Sequence, residues 1–224
     1  VADQRADIDW SDGDVPVSTR FDDPYYSLDD GLAETRHVFL GGNDLPSRFC
    51  EGFHIAELGF GTGLNFLATA EAWRRAGCPS PMKFTSFEAF PVTAEDMSRA
   101  IGAFPDLSGL SDPLISAWRL GQRVMDFGDL RLAVVTGDAR QTLPAWNGVA
   151  DAWFLDGFSP AKNPELWDPH LLAEVARHTA PGGTAATYTA AGHVRRALEF
   201  GGFEVERRPG FGRKRHMTVA RMPG

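Results

Sequence analysis

Three glycines at alternate positions constrain this chain more than any other feature. Phe53 to Phe66 reads Phe-His-Ile-Ala-Glu-Leu-Gly-Phe-Gly-Thr-Gly-Leu-Asn-Phe. An apolar run ending in an acid, then Gly59, Gly61 and Gly63, then residues able to form a helix, describes a buried strand turning sharply into a helix. Without a β-carbon the turn can take positive φ, and a ligand can lie directly against its backbone. A helix from about Leu64 to Arg75 aims its free N–H groups at whatever occupies the turn. The stretch reads as a nucleotide-binding turn.

The spacing narrows the nucleotide. A dinucleotide fold uses G-x-G-x-x-G, whose third glycine lets the helix pack on the strand while the helix end faces a pyrophosphate. Here the third glycine comes one residue early and Leu64 follows it. Glu57, two residues before the first glycine, would repel a pyrophosphate but could accept hydrogen bonds from an ammonium group. An acid followed by G-x-G-x-G resembles the first motif of S-adenosylmethionine (SAM)-dependent methyltransferases, and SAM carries an α-ammonium and a sulfonium.

Composition sets the outer bounds. With 224 residues and 43% hydrophobic content, the chain can bury one substantial core. No run approaches the ~18 apolar residues of a membrane span, and Val-Ala-Asp-Gln-Arg is too polar for a signal peptide. A cytoplasmic protein without a membrane partner is expected. Cys50 and Cys78 have neither C-x-x-C spacing nor a nearby histidine cluster, so no metal site or disulfide framework is expected, only small buried or half-buried thiols. The formal charge of −8 argues against indiscriminate nucleic-acid binding. It is unevenly spread. Asp3, Asp7, Asp9, Asp12, Asp14, Asp22, Asp23, Asp29 and Asp30 crowd the start, while Arg195, Arg196, Arg207, Arg208, Arg213, Lys214, Arg215 and Arg221 crowd the end.

Residues 1–20 read as an irregular or weakly paired arm. The aromatics of Phe21-Asp-Asp-Pro-Tyr-Tyr-Ser either stack on a flat ring or pack the arm onto the domain. Gly31 to Phe39 suggests a short helix, and Gly41 to Pro46 a turn. After the central helix, Gly77 and Pro79 to Pro81 lead to a strand, Lys83 to Phe87, closed by Glu88. An acid at the end of that second strand is placed to accept both ribose hydroxyls of a nucleotide. Thr93 reads as a helix cap, and Leu107, Leu110, Leu114 and Trp118 recur at helical spacing as core.

Arg123 to Phe127 and Leu130 to Val135 read as a hairpin ending at Thr136-Gly-Asp-Ala. Asp138 there could accept the adenine amino group, with Ala139 offering a backbone N–H, or simply cap a helix; the two roles are compatible. The apolar run Ala150 to Leu155 suits a central parallel strand and delivers Asp156-Gly-Phe-Ser-Pro-Ala-Lys-Asn-Pro. Ligands of open α/β sheets bind beyond strand carboxyl ends at the crossover point, so this loop should face the glycine turn, with Asp156 beside the reacting group and Phe158 able to sandwich a planar acceptor. Helix Pro169 to His178, a turn at Pro181-Gly-Gly, strand Thr184 to Thr189 and helix Ala190 to Phe200 follow. Strands Phe203 to Arg207 and Arg215 to Ala220 flank a loop whose Arg213, Lys214 and Arg215 either contact phosphate or form a solvated face. The pattern is α/β, with a mostly parallel central sheet and a C-terminal antiparallel hairpin, and resembles the Rossmann-like fold of SAM-dependent methyltransferases.

Three blocks together resemble the methyltransferase domain of the MnmC family, bacterial enzymes that complete 5-methylaminomethyl-2-thiouridine at the tRNA wobble position. They are Glu57 to Phe66, Phe154 to Trp167, and Thr189 to Arg196 with Gly210 to Arg215; Phe21 to Ser27 and Glu34 to Asn43 are similar as well. The resemblance implies residues 1–50 as an arm and cap contributing to the site, and 51–224 as the SAM-dependent methyltransferase domain. It implies that Glu57, Gly59, Gly61, Gly63, Asn65, Glu88 and Asp138 line a SAM pocket and that Asp156 holds an acceptor amine. Two-part members of the family continue into an FAD-dependent oxidase domain that produces the 5-aminomethyl group. A chain ending at Gly224 is read as a stand-alone methyltransferase or an excised domain.

The reaction so implied is N-methylation of 5-aminomethyl(-2-thio)uridine. Asp156 would orient the amine and stabilise developing charge, with proton loss to water an equal option to loss to the carboxylate. Tyr26, Phe158 and Lys162 are candidates for holding a flipped-out uridine, and Arg213, Lys214 and Arg215 for gripping anticodon-stem phosphates of tRNA, with affinity falling as salt rises. Two other readings stand beside it: a SAM-type transferase acting on a small amine such as a polyamine, and a catalytically silent scaffold for a tRNA-modifying partner.

Overall fold

The computed structural model describes residues 5–11, 14–27, 30–78 and 81–224; Val1, Asp3, Asp12, Asp29 and Pro79, singled out above, lie outside these. The chain opens with a small antiparallel sheet, β1 (Ile8–Ser11), β2 (Val15–Ser18) and β3 (Asp23–Pro24), the paired rather than the irregular form of the expected arm. Arg99 lies over Trp10 and pairs with Asp14, and the Ala6 N–H donates to the Pro91 carbonyl, so this sheet is docked on the main body. Helix α1 (Gly31–Thr35), capped by the Asp30 carboxylate, runs into a wide turn over Arg36–Leu40 and a tight one over Gly41–Asn43.

The main body alternates strand and helix: β4 (His54–Leu58), α2 (Leu64–Ala76), β5 (Met82–Glu88), α3 (Ala94–Ile101), α4 (Ser108–Arg119), β6 (Val124–Asp126), β7 (Leu130–Thr136), α5 (Ala139–Thr142), β8 (Ala150–Leu155), α6 (Pro169–Arg177), β9 (Thr179–Thr187), α7 (Gly192–Phe200), β10 (Glu204–Pro209) and β11 (His216–Arg221). They form one eight-stranded sheet in the order β10-β11-β9-β8-β4-β5-β7-β6. The five central strands are parallel; β6 is antiparallel at one edge and the β10–β11 hairpin at the other.

Both faces are covered, as a parallel sheet requires. Successive side chains of β8 go to opposite faces. Phe154 joins Ile55, Phe66, Trp73 and Leu114 in one buried cluster, while Trp153 and Leu155 join Leu58, Leu172, Val175 and Leu198 in the other. Pro181-Gly182-Gly183 lies within β9, not in a turn, and the pairing with β8 shifts register between Ala150 and Ala152. The Arg48 guanidinium, donating to Thr184 Oγ1 and to the Asp151 and Gly182 carbonyls, holds that bulge in place. Of the two thiols, Cys78 is half-buried but Cys50 is exposed.

From β4 the chain moves outward to β5 and β7 and then returns to β8 on the other side of β4. The crossover point therefore lies between β4 and β8, at their carboxyl ends. In register, Leu58 faces both Phe87 and Leu155, and Glu88 faces Thr136, so four strands end on one level.

Candidate active site

A cavity of about 1330 Å³ opens above those four strand ends. It exceeds the ~300–1,000 Å³ usual for one small ligand, so two can lie side by side. The glycine turn forms its floor. Gly59 has φ +91° and a Cβ there would stand 2.3 Å from the Asp156 carbonyl oxygen. Only glycine lets the turns after β4 and β8 come this close. Gly61, with φ +53°, lies under the Tyr25 ring. Gly63 caps α2 from the left-handed region but faces Leu114 and Phe60, away from the cavity wall.

Glu88 sits in the wall where the sequence predicts it. Its two carboxylate oxygens accept from the Gly61 N–H at 2.9 Å and the Phe90 N–H at 2.7 Å. The acid thus fixes the glycine turn and keeps lone pairs for a ligand. Burial pushes its carboxyl above the usual range, against the pull of the backbone donors. Asp138 and Ala139 line the same side. Asp138 caps α5, accepting from the Arg140 N–H at 2.9 Å, and its side-chain pair with Arg140 holds its carboxyl below the usual value.

Across the crossover point, Asp156 is half-buried in the wall. Asn65, from the first turn of α2, donates through one amide nitrogen to Asp156 Oδ2 at 2.6 Å and to Glu57 Oε1 at 2.9 Å, and accepts from Thr35 Oγ1 at 2.9 Å. That amide orients the Asp156 carboxylate. Burial pushes the Asp156 carboxyl up to about 7, with the Asn65 hydrogen bond opposing.

Glu57 is placed otherwise than its expected ammonium contact requires. It is 0% exposed, stands behind the wall, and accepts from Asn65 and, at 2.6 Å, from Ser86 Oγ. Burial raises it to about 8. Glu57 is the buried post on which Asn65 rests. Phe158 lines the cavity but already stacks on Phe21, with centroids 4.9 Å apart, and meets the edge of Tyr25. Tyr26 lines the cavity too, its hydroxyl donating to the Ala100 carbonyl at 3.2 Å. Lys162 does not reach the wall: its ammonium lies 3.5 Å from Asp22 and 3.4 Å from Asp23, and Asp23 also accepts from the Ser159 N–H at 2.8 Å. These contacts make residues 20–26 a strap fastened to the loop after β8. Arg213 and Lys214 are at the rim, whereas Arg215 is not among the residues that line the cavity.

Two wall residues had no role in the sequence reading. Glu34, in α1, holds the Lys214 ammonium at 2.6 Å, and Tyr188, just past β9, lies beneath the same ammonium at 4.1 Å. Tyr188 lies at the carboxyl end of a strand, as Glu88 and Asp156 do, a positional signal of the same kind. Glu34 has no local signal, because α1 reaches the site through tertiary packing alone.

A doubly wound sheet whose crossover point presents glycine backbone among acids has the architecture of a nucleotide-binding α/β protein. The chain belongs to the S-adenosyl-L-methionine-dependent methyltransferase family, whose profile matches residues 110–223. It is 45% identical over 228 residues to the tRNA 5-methylaminomethyl-2-thiouridine biosynthesis bifunctional protein MnmC of Caulobacter sp. (strain K31), covering 96% of this chain and 38% of that one. Its identity to the protein of the same name from Pseudomonas aeruginosa is 44%, over 99% of this chain and 36% of that one. The chain thus spans little more than a third of these curated relatives. The crystal structure of MNMC2 from Aquifex aeolicus superposes with a TM-score of 0.80 at 25% identity, covering 100% of this chain and 73% of that one. The cofactor of the family is SAM. Among the described residues, no helix is long and apolar enough to cross a membrane.

Proposed function

We propose that this chain N-methylates the 5-aminomethyl group of a wobble uridine, with or without 2-thiolation, giving 5-methylaminomethyl(-2-thio)uridine in tRNA. The observation that carries the reading is a carboxylate, Asp156, held by Asn65 at the crossover point of a SAM-dependent fold, in a chain 45% identical to proteins named for that nucleoside. Residues 51–224 would be the methyltransferase domain and residues 1–50 the arm and cap that complete its wall. A bifunctional relative suggests a second partner activity, an FAD-dependent oxidase supplying the amine, and a tRNA substrate would suit a cytoplasmic setting.

The cavity residues suit SAM. Gly59 and Gly61 present bare backbone to the cavity, Glu88 keeps acceptor capacity for a ribose diol, and Asp138 and Ala139 would take the adenine edge. When bound, SAM supplies an electrophilic methyl group on a sulfonium. The protein's task is then to present a neutral amine, because an ammonium has no lone pair. Asp156 accepts an amine N–H and aims the nitrogen, and its carboxyl near 7 is a closer match to an alkylamine than an ordinary carboxylate of pKa ~4. Tyr26 and Phe158 offer ring surface to the uracil, and Arg213 and Lys214 stand where a phosphate backbone would pass.

Labelled SAM tests the reading, with tRNA from cells lacking this methylation, fully modified tRNA and free polyamines as parallel acceptors. Label entering only the undermethylated tRNA, at the wobble uridine, is expected. Label in polyamine alone would overturn it.

A further inference from the structure

Lys214 is held in an unusual way for a rim lysine. Its ammonium lies 2.6 Å from Glu34 Oε1, on a carboxylate whose side chain is 10% exposed, and 4.1 Å from the centroid of Tyr188. Tyr188 is itself fixed, its hydroxyl donating to the Gly157 carbonyl at 2.7 Å, one residue from Asp156. A buried carboxylate and an aromatic face converging on one point form a cation site. The occupant is instructive. Lysine ends in –CH2–NH3+, the same group that ends a 5-aminomethyl substituent. Glu34, Asp156, Tyr188 and Lys214 border one cavity. Glu34 and Lys214 both act on Asp156 through space, Glu34 raising its carboxyl and Lys214 lowering it, each by less than burial does.

We propose that Glu34 and the ring of Tyr188 are the ammonium-recognition site for the acceptor, and that Lys214 is a resident counter-ion that the acceptor displaces. The inference rests on the acceptor being an alkylamine, as in the reading above, and adds the residues that select it. The asymmetry of exposure supports displacement: the Lys214 side chain is 44% exposed on the loop between β10 and β11, while Glu34 is locked in α1. Lys214 can swing outward without moving the wall. Glu34 cannot be left bare, since an unpaired buried carboxylate is strongly unfavourable. One cation therefore replaces another, the bound ammonium giving its proton to Asp156 or to water before transfer, and an uncharged acceptor of the same shape is rejected because it would leave Glu34 unpaired. Released, Lys214 reaches the side of the rim where Arg213 stands and can meet a phosphate.

The test is binding of two nucleosides, 5-aminomethyluridine and 5-hydroxymethyluridine, to the protein saturated with S-adenosylhomocysteine, followed by calorimetry. Wild type should prefer the amine by tenfold or more. Glu34→Gln should abolish that preference, whereas Lys214→Met, which removes the competitor on an exposed loop, should tighten amine binding several-fold and weaken tRNA binding. Unchanged SAM affinity checks that each variant is folded. Equal weakening of amine binding by both variants would overturn the proposal, making Lys214 a fixed part of the wall, and so would a Glu34→Gln protein that keeps the preference. The two readings fail separately. Glu34-dependent amine binding with no methylated tRNA would sink the tRNA reading alone, and normal tRNA methylation by Glu34→Gln with unchanged KM would sink the ammonium site alone.

Discussion

Replacing Gly59 by alanine puts a methyl group where the structure has none to spare. The added Cβ would lie 2.3 Å from the Asp156 carbonyl oxygen and 3.2 Å from its carbonyl carbon, and real Cβ contacts stay beyond 3.0 Å. The turns after β4 and β8 must therefore part by at least ~0.7 Å, a backbone shift forced by overpacking. Neither turn is free to move, because the Gly59 N–H bonds to the Phe87 carbonyl at 2.9 Å and the Asp156 N–H to the Leu58 carbonyl at 3.0 Å. The φ of +91° adds about 1–2 kcal/mol for an L-residue, and overpacking adds about 1–3 kcal/mol. Gly59→Ala should lower unfolding free energy by about 2–5 kcal/mol in urea titrations. A shift of that order at Asp156 should also cost roughly 10²-fold in methyl transfer. A variant within ~0.5 kcal/mol of wild type, with turnover intact, would refute the close approach of the two turns and the dependence of Asp156 on it.

Glu57→Gln probes the buried post behind the site. A carboxyl raised on folding from 4.5 to about 8 binds its proton more tightly in the folded state, so wild-type stability should fall as pH rises from about 4.5 to 8 and then level off. The amide of the variant has no such proton, and urea titrations from pH 5 to 9 should show it gaining a few kcal/mol on wild type across that window; a pH-independent difference would contradict this. Asp156→Asn keeps an oxygen for Asn65 but removes the charge. Methyl transfer should fall about 10²-fold or more with SAM affinity nearly unchanged, and the acid limb of the wild-type pH profile, near 7, should vanish; equal loss of binding and turnover would assign Asp156 to the cofactor. Glu88→Gln should weaken SAM binding about 10- to 100-fold by calorimetry, the worth of a charge-assisted hydrogen bond, and an unchanged affinity would remove Glu88 from the cofactor site.

Much of the fold can be read from local chemistry. Apolar runs ending in acids gave strands at Ala150–Leu155 and His54–Leu58, and Gly63 and Gly77 bracket α2. Strand-end acids were legible for the same reason: in an open parallel sheet, position in the chain fixes position in the site, so Glu88 and Asp156 were findable without coordinates. What failed depends on partners distant in sequence. Residues 1–20 leave open whether the arm is irregular or paired, and only the pairing of Ile8–Ser11 with Val15–Ser18 decides it. Pro181-Gly182-Gly183 signals a turn, yet β8 and the Arg48 guanidinium hold it in a strand. The loop that carries Lys162 faces the cavity, but two acids 139 and 140 residues earlier turn its side chain away. Glu57 carries the motif's charge, and its burial depends on Asn65 and Ser86 arriving from α2 and β5.

The strap over residues 20–26 touches both halves of the cavity. Arg20 and Phe21 reach Phe90, beside the acid Glu88, while Phe21, Tyr25 and Asp23 hold Phe158 and Ser159, beside Asp156. One segment thus reports to two ligands. A shift of this one segment would move both walls together, so any coupling it carried between two ligands would be reciprocal: the factor by which one raised the affinity of the other would be matched in return.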